Sequence, residues 1–458
     1  MTPRNWLIGI LAAWAIGFGC TEARAHFLFV KIGPMAEGGR SAEVYFSDKA
    51  EAGDPKFVAK IASTKLWLQT PTGEYRPLTV RQGVDRLRAH VPASGPIVVV
   101  GECRYGVIAR PGETPFLLRH FPKAVSYSPR NDAGRVHELN DMERLRRREG
   151  ASVEISAEFL PSQINLVALR DGKPLPKATF HAVDADLKET EFAADEEGKA
   201  AWKPTASGTY TVYFRSDLKT PGQVEGQKYD EVREFATLAL DWPLTSEGPD
   251  AEAVSLFEDA LAARAQWKDF PGFTAEVSGQ FEGRPFAGSV TVDDAGNAQA
   301  KLDDEAVKSW VEQTLASVAM HRIAQEPGEK PALRFLDADE SHPLGRLLAF
   351  EGGQFASSYR VKDRQITTVN RAMGRANMTI ITLDNEKTPE GHFLPLGYSV
   401  QYWSDATGEL TRTESVRDRW ARVGAFDLPA SHVVTVSADG GLTTRGLALS
   451  GHKLTPSK

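Results

Sequence analysis

Hydrophobic and polar positions alternate in short runs along most of the chain, and this pattern is typical of strands. Turn-forming stretches such as Pro71-Thr72-Gly73 divide the runs from one another. Short strands separated by turns, with no long helical repeat between them, predict a β-sandwich over residues 26–150. The predicted strands of this unit are His26–Ile32, Ala42–Phe46, Lys65–Gln69, Leu87–Val91, Pro96–Val100 and Phe116–His120.

A second β unit is predicted over residues 151–241, after a polar connector at about 128–150. Leu166–Leu169 is a short apolar run, Asp171–Leu175 is a turn, and Ser207–Phe214 alternates as a strand does. The segment "DGKPLPKA" and the later "SGTY" resemble the small transthyretin-like or carboxypeptidase-regulatory-like β-sandwich repeats. That resemblance implies a second, smaller sandwich that acts as a spacer.

The pattern changes after a linker at 242–253. Ala251–Trp267 has helical spacing with Asp250 as a plausible N-cap, and a second apolar stripe predicts a helix at about Asp304–Met320. Strands separated by polar turns then continue to the end of the chain. The fold class that we predict is therefore mainly β, with two sandwich units and an α+β domain over 254–458 whose curved antiparallel sheet has the element order of a lipoprotein-carrier half-barrel.

Residues 1–25 have the pattern of a secretory signal peptide. A charged Arg4 precedes an apolar run, and Ala23 and Ala25 form an A-x-A cleavage pattern. We therefore expect a periplasmic or secreted protein, with no transmembrane segment once the signal is removed. Lipid anchoring at Cys20 is a less favoured alternative, and it would leave no free amine at His26.

Length and charge limit the function classes. At about 150 residues per domain, 458 residues suggest roughly three domains. The net charge of −7 and the absence of a strongly basic domain argue against nucleic acid as a partner. Outside the predicted signal the one cysteine is Cys103, which lies in a β-prone run. A buried, inert thiol is the favoured interpretation, and a metal-ligating or intermolecular thiol is the alternative.

The candidate chemistry centres on His26. Cleavage after Ala25 would expose an α-amine beside the imidazole, and these two nitrogens can chelate a transition-metal ion such as Cu, Ni or Co. His90 and His120 are the candidates for further ligands, and His137 is a weaker one. For each of these three taken alone, a hydrogen-bonded structural histidine is the competing interpretation.

Motifs for other chemistry are missing from the sequence. It contains no H-E-x-x-H, G-x-S-x-G, C-x-x-C, P-loop or dinucleotide-binding glycine pattern, so a binding protein is favoured over an enzyme. In the C-terminal domain, aromatic residues are predicted either to line a cavity for an apolar ligand or to form an ordinary core. They are Trp267, Phe270, Phe273, Phe281, Phe286, Trp310, Tyr402, Trp403 and Trp420.

Longer segments resemble two bacterial families. Residues 1–242 resemble the exported family called domain of unknown function 4198, through "HFLFV", "CRYGVIARPGETPFLLRHFPKAV", "LRDGKPLPKATF" and "GQKYDEVREFATLAL". Members of that family are associated with nickel or cobalt uptake, and the resemblance implies a metal role for His26 alone. The C-terminal half resembles domain of unknown function 3386, through "ARAQWKDFPGFTAEVSGQFEGRPFAGSVTVD" and "RWARVGAFDLPASHVV".

The leading hypothesis is a non-enzymatic periplasmic or secreted binding protein whose His26 takes part in binding a transition-metal ion. One alternative is a carrier of lipid or another small hydrophobic ligand, or an envelope-interaction protein with an envelope protein as its partner, acting through residues 254–458. The other alternative is a copper-dependent oxidative enzyme that uses the amine and two histidines.

Overall fold

The computed structural model describes residues 26–36, 38–92, 96–126, 136–145, 148–243, 249–324, 332–336, 341–350, 357–373 and 376–456. The predicted signal peptide, Cys20 and part of the predicted linker lie outside these ranges. No helix in the described ranges is long and apolar enough to cross a membrane.

The N-terminal part consists of eighteen short to medium strands and one α-helix within the described residues. A single 3-10 helix at Pro55–Ile61 lies between the second and third strands. The elements are β1 (Phe27–Ile32), β2 (Ser41–Ser47), β3 (Lys65–Gln69), β4 (Tyr75–Leu78), β5 (Val80–Gln82), β6 (Leu87–His90), β7 (Ile97–Ile108), β8 (Phe116–Ser126), α1 (Val136–Arg144), β9 (Val153–Leu160), β10 (Gln163–Arg170), β11 (Lys173–Pro174), β12 (Thr179–Val183), β13 (Glu189–Ala193), β14 (Lys199–Trp202), β15 (Gly208–Leu218), β16 (Gly222–Val224), β17 (Gln227–Tyr229) and β18 (Glu231–Trp242).

One sheet joins the two predicted sandwich units. Its order is β13-β12-β15-β18-β8-β7-β3-β4, and β18 pairs with β8 in parallel, with Phe235 opposite His120. A smaller sheet, β1-β2-β6-β5, and the sheet formed by β9, β10, β11 and β14 pack against it. The predicted boundary at residue 150 therefore does not separate two independent sheets, because strands from both sides of it share hydrogen bonds.

Within the described residues, the C-terminal part is one twelve-stranded antiparallel sheet with two helices. The sheet order is β21-β20-β19-β30-β29-β28-β27-β26-β25-β24-β23-β22. The elements are α2 (Ala251–Ala262), β19 (Phe273–Phe281), β20 (Arg284–Val292), β21 (Ala298–Lys301), α3 (Glu305–Arg322), β22 (Leu333–Phe335), β23 (Arg346–Phe350), β24 (Ser357–Lys362), β25 (Gln365–Met373), β26 (Ala376–Lys387), β27 (Phe393–Ser404), β28 (Leu410–Val423), β29 (Phe426–Ala438) and β30 (Gly441–Leu454).

The two C-terminal helices pack at opposite ends of this sheet. Phe257 of α2 packs against Leu348 and Tyr359, whereas Val311 and Leu315 of α3 pack against the strands around β19 and β30. Asp250 and Asp304 cap the two helices through their side chains, as predicted for Asp250. The predicted fold class, mainly β with a large curved antiparallel sheet, is confirmed.

The N-terminal part contacts one face of the C-terminal sheet through the segment after β1. Ser358 Oγ donates a hydrogen bond to Met35 O at 2.6 Å, and Gly38 N donates to Thr379 Oγ1 at 3.4 Å. Ser358 and Thr379 are buried and are linked by hydrogen bonds through Asn370. This polar stripe of the sheet is therefore used for contact between the two parts of the chain.

Candidate functional site

His26 immediately precedes β1 at the edge of the small N-terminal sheet. Its Nδ1 lies 3.4 Å from Oδ1 of Asp48, which follows β2. The imidazole also contacts the rings of Phe46 and Phe57, with centroid distances of 5.9 Å and 5.4 Å. With 38% of its side chain exposed, His26 is positioned between an aromatic surface, a carboxylate and solvent.

The Asp48 carboxylate is the polar group that makes this edge suitable for a cation. Its Oδ1 is buried and has no hydrogen-bond partner in the described part of the chain. A buried carboxylate oxygen without a donor is unfavourable unless a cation or a donor reaches it. The residues present therefore fit a metal ion in donor type: an imidazole, a carboxylate and, after cleavage, an amine.

His120 lies inside the protein on β8. It is 1% exposed, it stacks on Phe235 at 5.5 Å, and it pairs across the sheet with Cys103. Neither ring nitrogen has a hydrogen-bond partner among the described residues. Burial lowers the pKa of His120 to about 3, so the imidazole is neutral at pH 7. The expected alternative, a hydrogen-bonded structural histidine, does not describe this residue.

The three candidate ligands do not lie together. His26 and His120 both contact the ring of Phe46, His120 at 5.8 Å. His90 pairs with Ser41 at the other end of β2, roughly 20 Å away at about 3.3 Å per residue. Its Nε2 donates to the carbonyl oxygen of Asp405 at 2.6 Å, so the ring is engaged by the C-terminal part.

A complete cluster of protein ligands is not found. Within the described ranges, no group of three or more His, Cys, Asp or Glu residues is placed to hold a metal ion. The predicted α-amine of a mature His26 is not among such side chains. The weaker candidate His137 lies on α1, which the sequence pattern did not predict.

Cys103 agrees with the inert-thiol interpretation. The residue is buried, and burial raises the pKa of its thiol. Ser63 Oγ lies 3.8 Å from Sγ, which is a weak polar contact. At neutral pH this thiol stays protonated and protected from oxidants.

The C-terminal aromatics form a core. Trp267, Phe270, Phe273 and Phe281 are buried among the apolar side chains of α3 and the sheet. Phe286, Trp310 and Trp420 pack against the same cluster, Tyr402 is half-buried, and Trp403 contacts the segment around Gly38. The ordinary-core interpretation fits these residues better than a ligand cavity does.

An internal charge cluster that the sequence analysis missed lies between β8 and α1. Lys123 Nζ donates to Glu143 Oε2 at 2.9 Å and to Glu154 Oε1 at 2.8 Å. Burial acts to lower the pKa of Lys123, but the two carboxylates outweigh it and raise the pKa. The available signal was a lysine inside the apolar run Phe121–Val125, where a charged residue requires a partner.

Comparisons with known proteins concern the C-terminal half. Residues 249–455 match the family model described as "Protein of unknown function (DUF3386)". This match confirms the predicted resemblance of the C-terminal half, while the resemblance of the first 242 residues to domain of unknown function 4198 stays a prediction. No curated protein matches the chain.

Eleven chains of solved structures match this chain. One of them is the crystal structure of the LolA superfamily protein NE2245 from Nitrosomonas europaea, with 9% sequence identity over 45% of this chain and 94% of that chain. The TM-score is 0.17, which is too low for this likeness to bear on fold or function.

Proposed function

We propose that this chain is a non-enzymatic binding protein, exported and cut after Ala25, that holds a transition-metal ion at His26. The observation that carries the proposal is the buried Oδ1 of Asp48, which lies 3.4 Å from His26 Nδ1 and accepts no hydrogen bond within the described residues. A cation placed between these groups would satisfy that oxygen.

The donors of this site favour a divalent ion of the later first transition series. The terminal amine and Nδ1 of His26 form a chelate, and the Asp48 carboxylate supplies an oxygen, a mixed donor set that suits Cu(II), Ni(II) or Co(II). Metal binding requires a neutral imidazole and an unprotonated amine. Affinity is therefore expected to fall as the pH is lowered.

His120 remains a predicted further ligand. Its two unbonded ring nitrogens support a role of this kind, and its ring contacts Phe46, which also contacts His26. Its neutral form at pH 7 is the form that binds metals. His90 is not part of the proposed site, because Asp405 engages its Nε2 at the other end of β2.

The test is calorimetric titration of the exported protein with Cu(II) and with Ni(II), after intact mass has confirmed that the chain begins at His26. We expect a version with one extra alanine before His26 to bind at least tenfold more weakly, because the terminal amine is then an amide. We expect Asp48→Asn to weaken binding while Asp230→Asn, an exposed aspartate, leaves it unchanged. Equal affinity in the first two versions would refute the role of the amine.

The same preparation separates the two other hypotheses. Oxygen consumption by the copper-loaded protein with a reductant would assign a copper oxidative enzyme instead of a binding protein. Lipid that co-purifies with a protein that binds no metal would instead favour the hydrophobic-ligand carrier or envelope-interaction role of residues 254–458.

A further inference from the structure

In the C-terminal domain, the segment after α2 crosses the end of α3, and an arginine on each segment donates a hydrogen bond to a backbone carbonyl of the other. Arg264 follows α2, and its Nη2 donates a hydrogen bond to His321 O at 3.1 Å. Arg322 ends α3, and its Nη1 donates to Ala265 O at 3.1 Å. The segment after α2 also pairs with the end of α3, because Trp267 N donates to Arg322 O at 2.6 Å. The two guanidinium groups are thus held by backbone carbonyls at one crossing point.

This crossing lies over the helix-covered face of the sheet. The Arg322 guanidinium lies 5.9 Å from the ring of Trp420 on β28. Trp420 packs against the core under α3, and Ala265 N on the same segment donates to Phe393 O at the start of β27. Rigid elements on both sides therefore position the pair.

Neither guanidinium has a carboxylate partner. Arg322 is 6% exposed and Arg264 is half-buried, yet neither forms an ion pair within the part of the chain that the structure describes. The acidic group that acts on Arg322 is Asp418, and its Oδ1 lies 2.7 Å from His432 Nδ1. Burial and then the charge of Arg264 lower the pKa of Arg322 to about 10. Within the described residues, the local positive charge is therefore not balanced by an ion pair.

The free N–H groups of this pair are not sealed from solvent. Each guanidinium has five N–H donors, and one backbone carbonyl occupies only part of them. Within the described residues, no nitrogen of Arg264 or Arg322 is a fully buried atom without a partner. The remaining guanidinium nitrogens therefore keep some exposure to solvent.

A third arginine adds to the positive field. The pKa of His321 is lowered by burial, and then by the charges of Arg264, Arg322 and Arg371. Arg371 lies on β25 and is exposed. The positive charges of three guanidinium groups therefore act on His321, which lies at the end of α3.

We propose that Arg264 and Arg322, with Arg371 at the rim, form a binding site for an oxyanion, a carboxylate or phosphate group of a small ligand. Two fixed planar guanidinium groups with unoccupied donors match the oxygen geometry of such groups. The anion supplies the counter-charge that the described residues do not. This site is separate from the proposed metal site at His26, and either can exist without the other.

The test uses the full exported chain and three probes: inorganic phosphate, acetate and oleate, each titrated calorimetrically at low and at physiological salt. We expect wild-type protein to bind phosphate or oleate, and Arg264→Gln to weaken that binding at least tenfold. Arg417→Gln is the matched control, because Arg417 is exposed on β28 next to Asp418. Its affinity should stay within twofold of wild type.

The probes also identify the source of the anion. Phosphate binding without oleate binding assigns a free or sugar-linked phosphate, and oleate binding at least a hundredfold tighter than acetate assigns an amphiphile with an anionic head. Because Arg264 is half-buried, the exposed Arg371→Gln variant is measured in parallel, and we expect a threefold to tenfold loss. Wild-type protein that binds none of the three probes, or equal losses in Arg417→Gln and Arg264→Gln, would overturn the proposal.

Discussion

Two buried cations, Lys123 in the N-terminal half and Arg322 in the C-terminal half, have opposite electrostatic surroundings. Lys123 is surrounded by the carboxylates of Glu143 and Glu154 and also donates to Ile155 O at 3.1 Å. Arg322 is comparably buried, but its hydrogen-bond acceptor is a backbone carbonyl and its neighbour Arg264 is another cation. The pKa of Lys123 is raised, whereas the pKa of Arg322 is lowered to about 10.

The comparison distinguishes a buried charge that stabilises the fold from a buried charge that we propose is balanced by a ligand. Removing an ion from water is unfavourable by several kcal/mol, and a well-placed counter-ion offsets this only when the geometry is good. The Lys123 cluster meets that condition inside the protein. The pair formed by Arg264 and Arg322 does not meet it. We therefore assign this pair to ligand binding and the Lys123 cluster to stability.

The largest expected effect is on stability and is at Lys123, whose charge is balanced by two carboxylates. Lys123→Met should lower the free energy of unfolding by about 3–5 kcal/mol, because Glu143 and Glu154 are then left close together without a cation. Urea unfolding followed by circular dichroism measures this. Lys203→Met, at an exposed position, serves as the control and should change the free energy by less than about 0.5 kcal/mol. A loss below about 1 kcal/mol in Lys123→Met would contradict the stabilising role of the Lys123 cluster.

The next effect concerns a buried group that stays neutral. The pKa of His120 is about 3 in the folded protein and near 6.5 when unfolded, so the unfolded state binds more protons between these values. Its contribution to stability is therefore present above pH 6.5 and is lost as the pH falls toward 3. Lowering the pH from 7 to 5 should remove about 2 kcal/mol through this residue.

Comparing the pH dependence of variants isolates this contribution. Unfolding free energies of wild type and His120→Phe are measured at pH 7 and pH 5, and the phenylalanine variant should show a drop smaller by about 2 kcal/mol. His392→Phe, at an exposed histidine, should retain the wild-type slope. An unchanged slope in His120→Phe would mean that its pKa is not depressed by burial.

The smallest effect on stability is expected at Arg322, which forms no ion pair within the described residues. Arg322→Met keeps most of the apolar stem and removes a desolvated charge next to Arg264, while it loses the hydrogen bond to Ala265 O. These opposing terms should leave the free energy of unfolding within about 1 kcal/mol of wild type. Urea unfolding beside Lys123→Met makes the comparison direct, and equal losses in the two variants would contradict it.

Local features of the fold were predictable from short stretches of sequence. Asp250 satisfies the first backbone N–H groups of α2, which depend on residues only two or three positions away. The turn at Asp171 and Gly172 is equally local, whereas β15, which was predicted to alternate, buries five consecutive residues from Tyr210 to Phe214. The helix α1 was missed because its segment is short and mostly polar, although Leu139 and Met142 lie one turn apart on it and are both buried.

The candidate functional residues divide in the same way. His26 was identified from its position after a cleavage pattern, and Cys103 was expected to be buried because of its β-prone surroundings. Asp48 could not be identified as the neighbour of His26, because β1 must first pair with β2 for the two to meet. His120 likewise becomes a buried, unbonded imidazole only through its stacking on Phe235.

The sequence by itself determined the β-rich class, the starts of α2 and α3 and the positions of several strands, because backbone geometry and alternation act over a few residues. Only the tertiary structure decided that β8 and β18 pair in parallel and join two predicted units. It also decided that Lys123 has two carboxylate partners while Arg322 forms no ion pair within the described residues. Charges are balanced by groups that are near in space and distant in sequence, so their compensation depends on the complete fold.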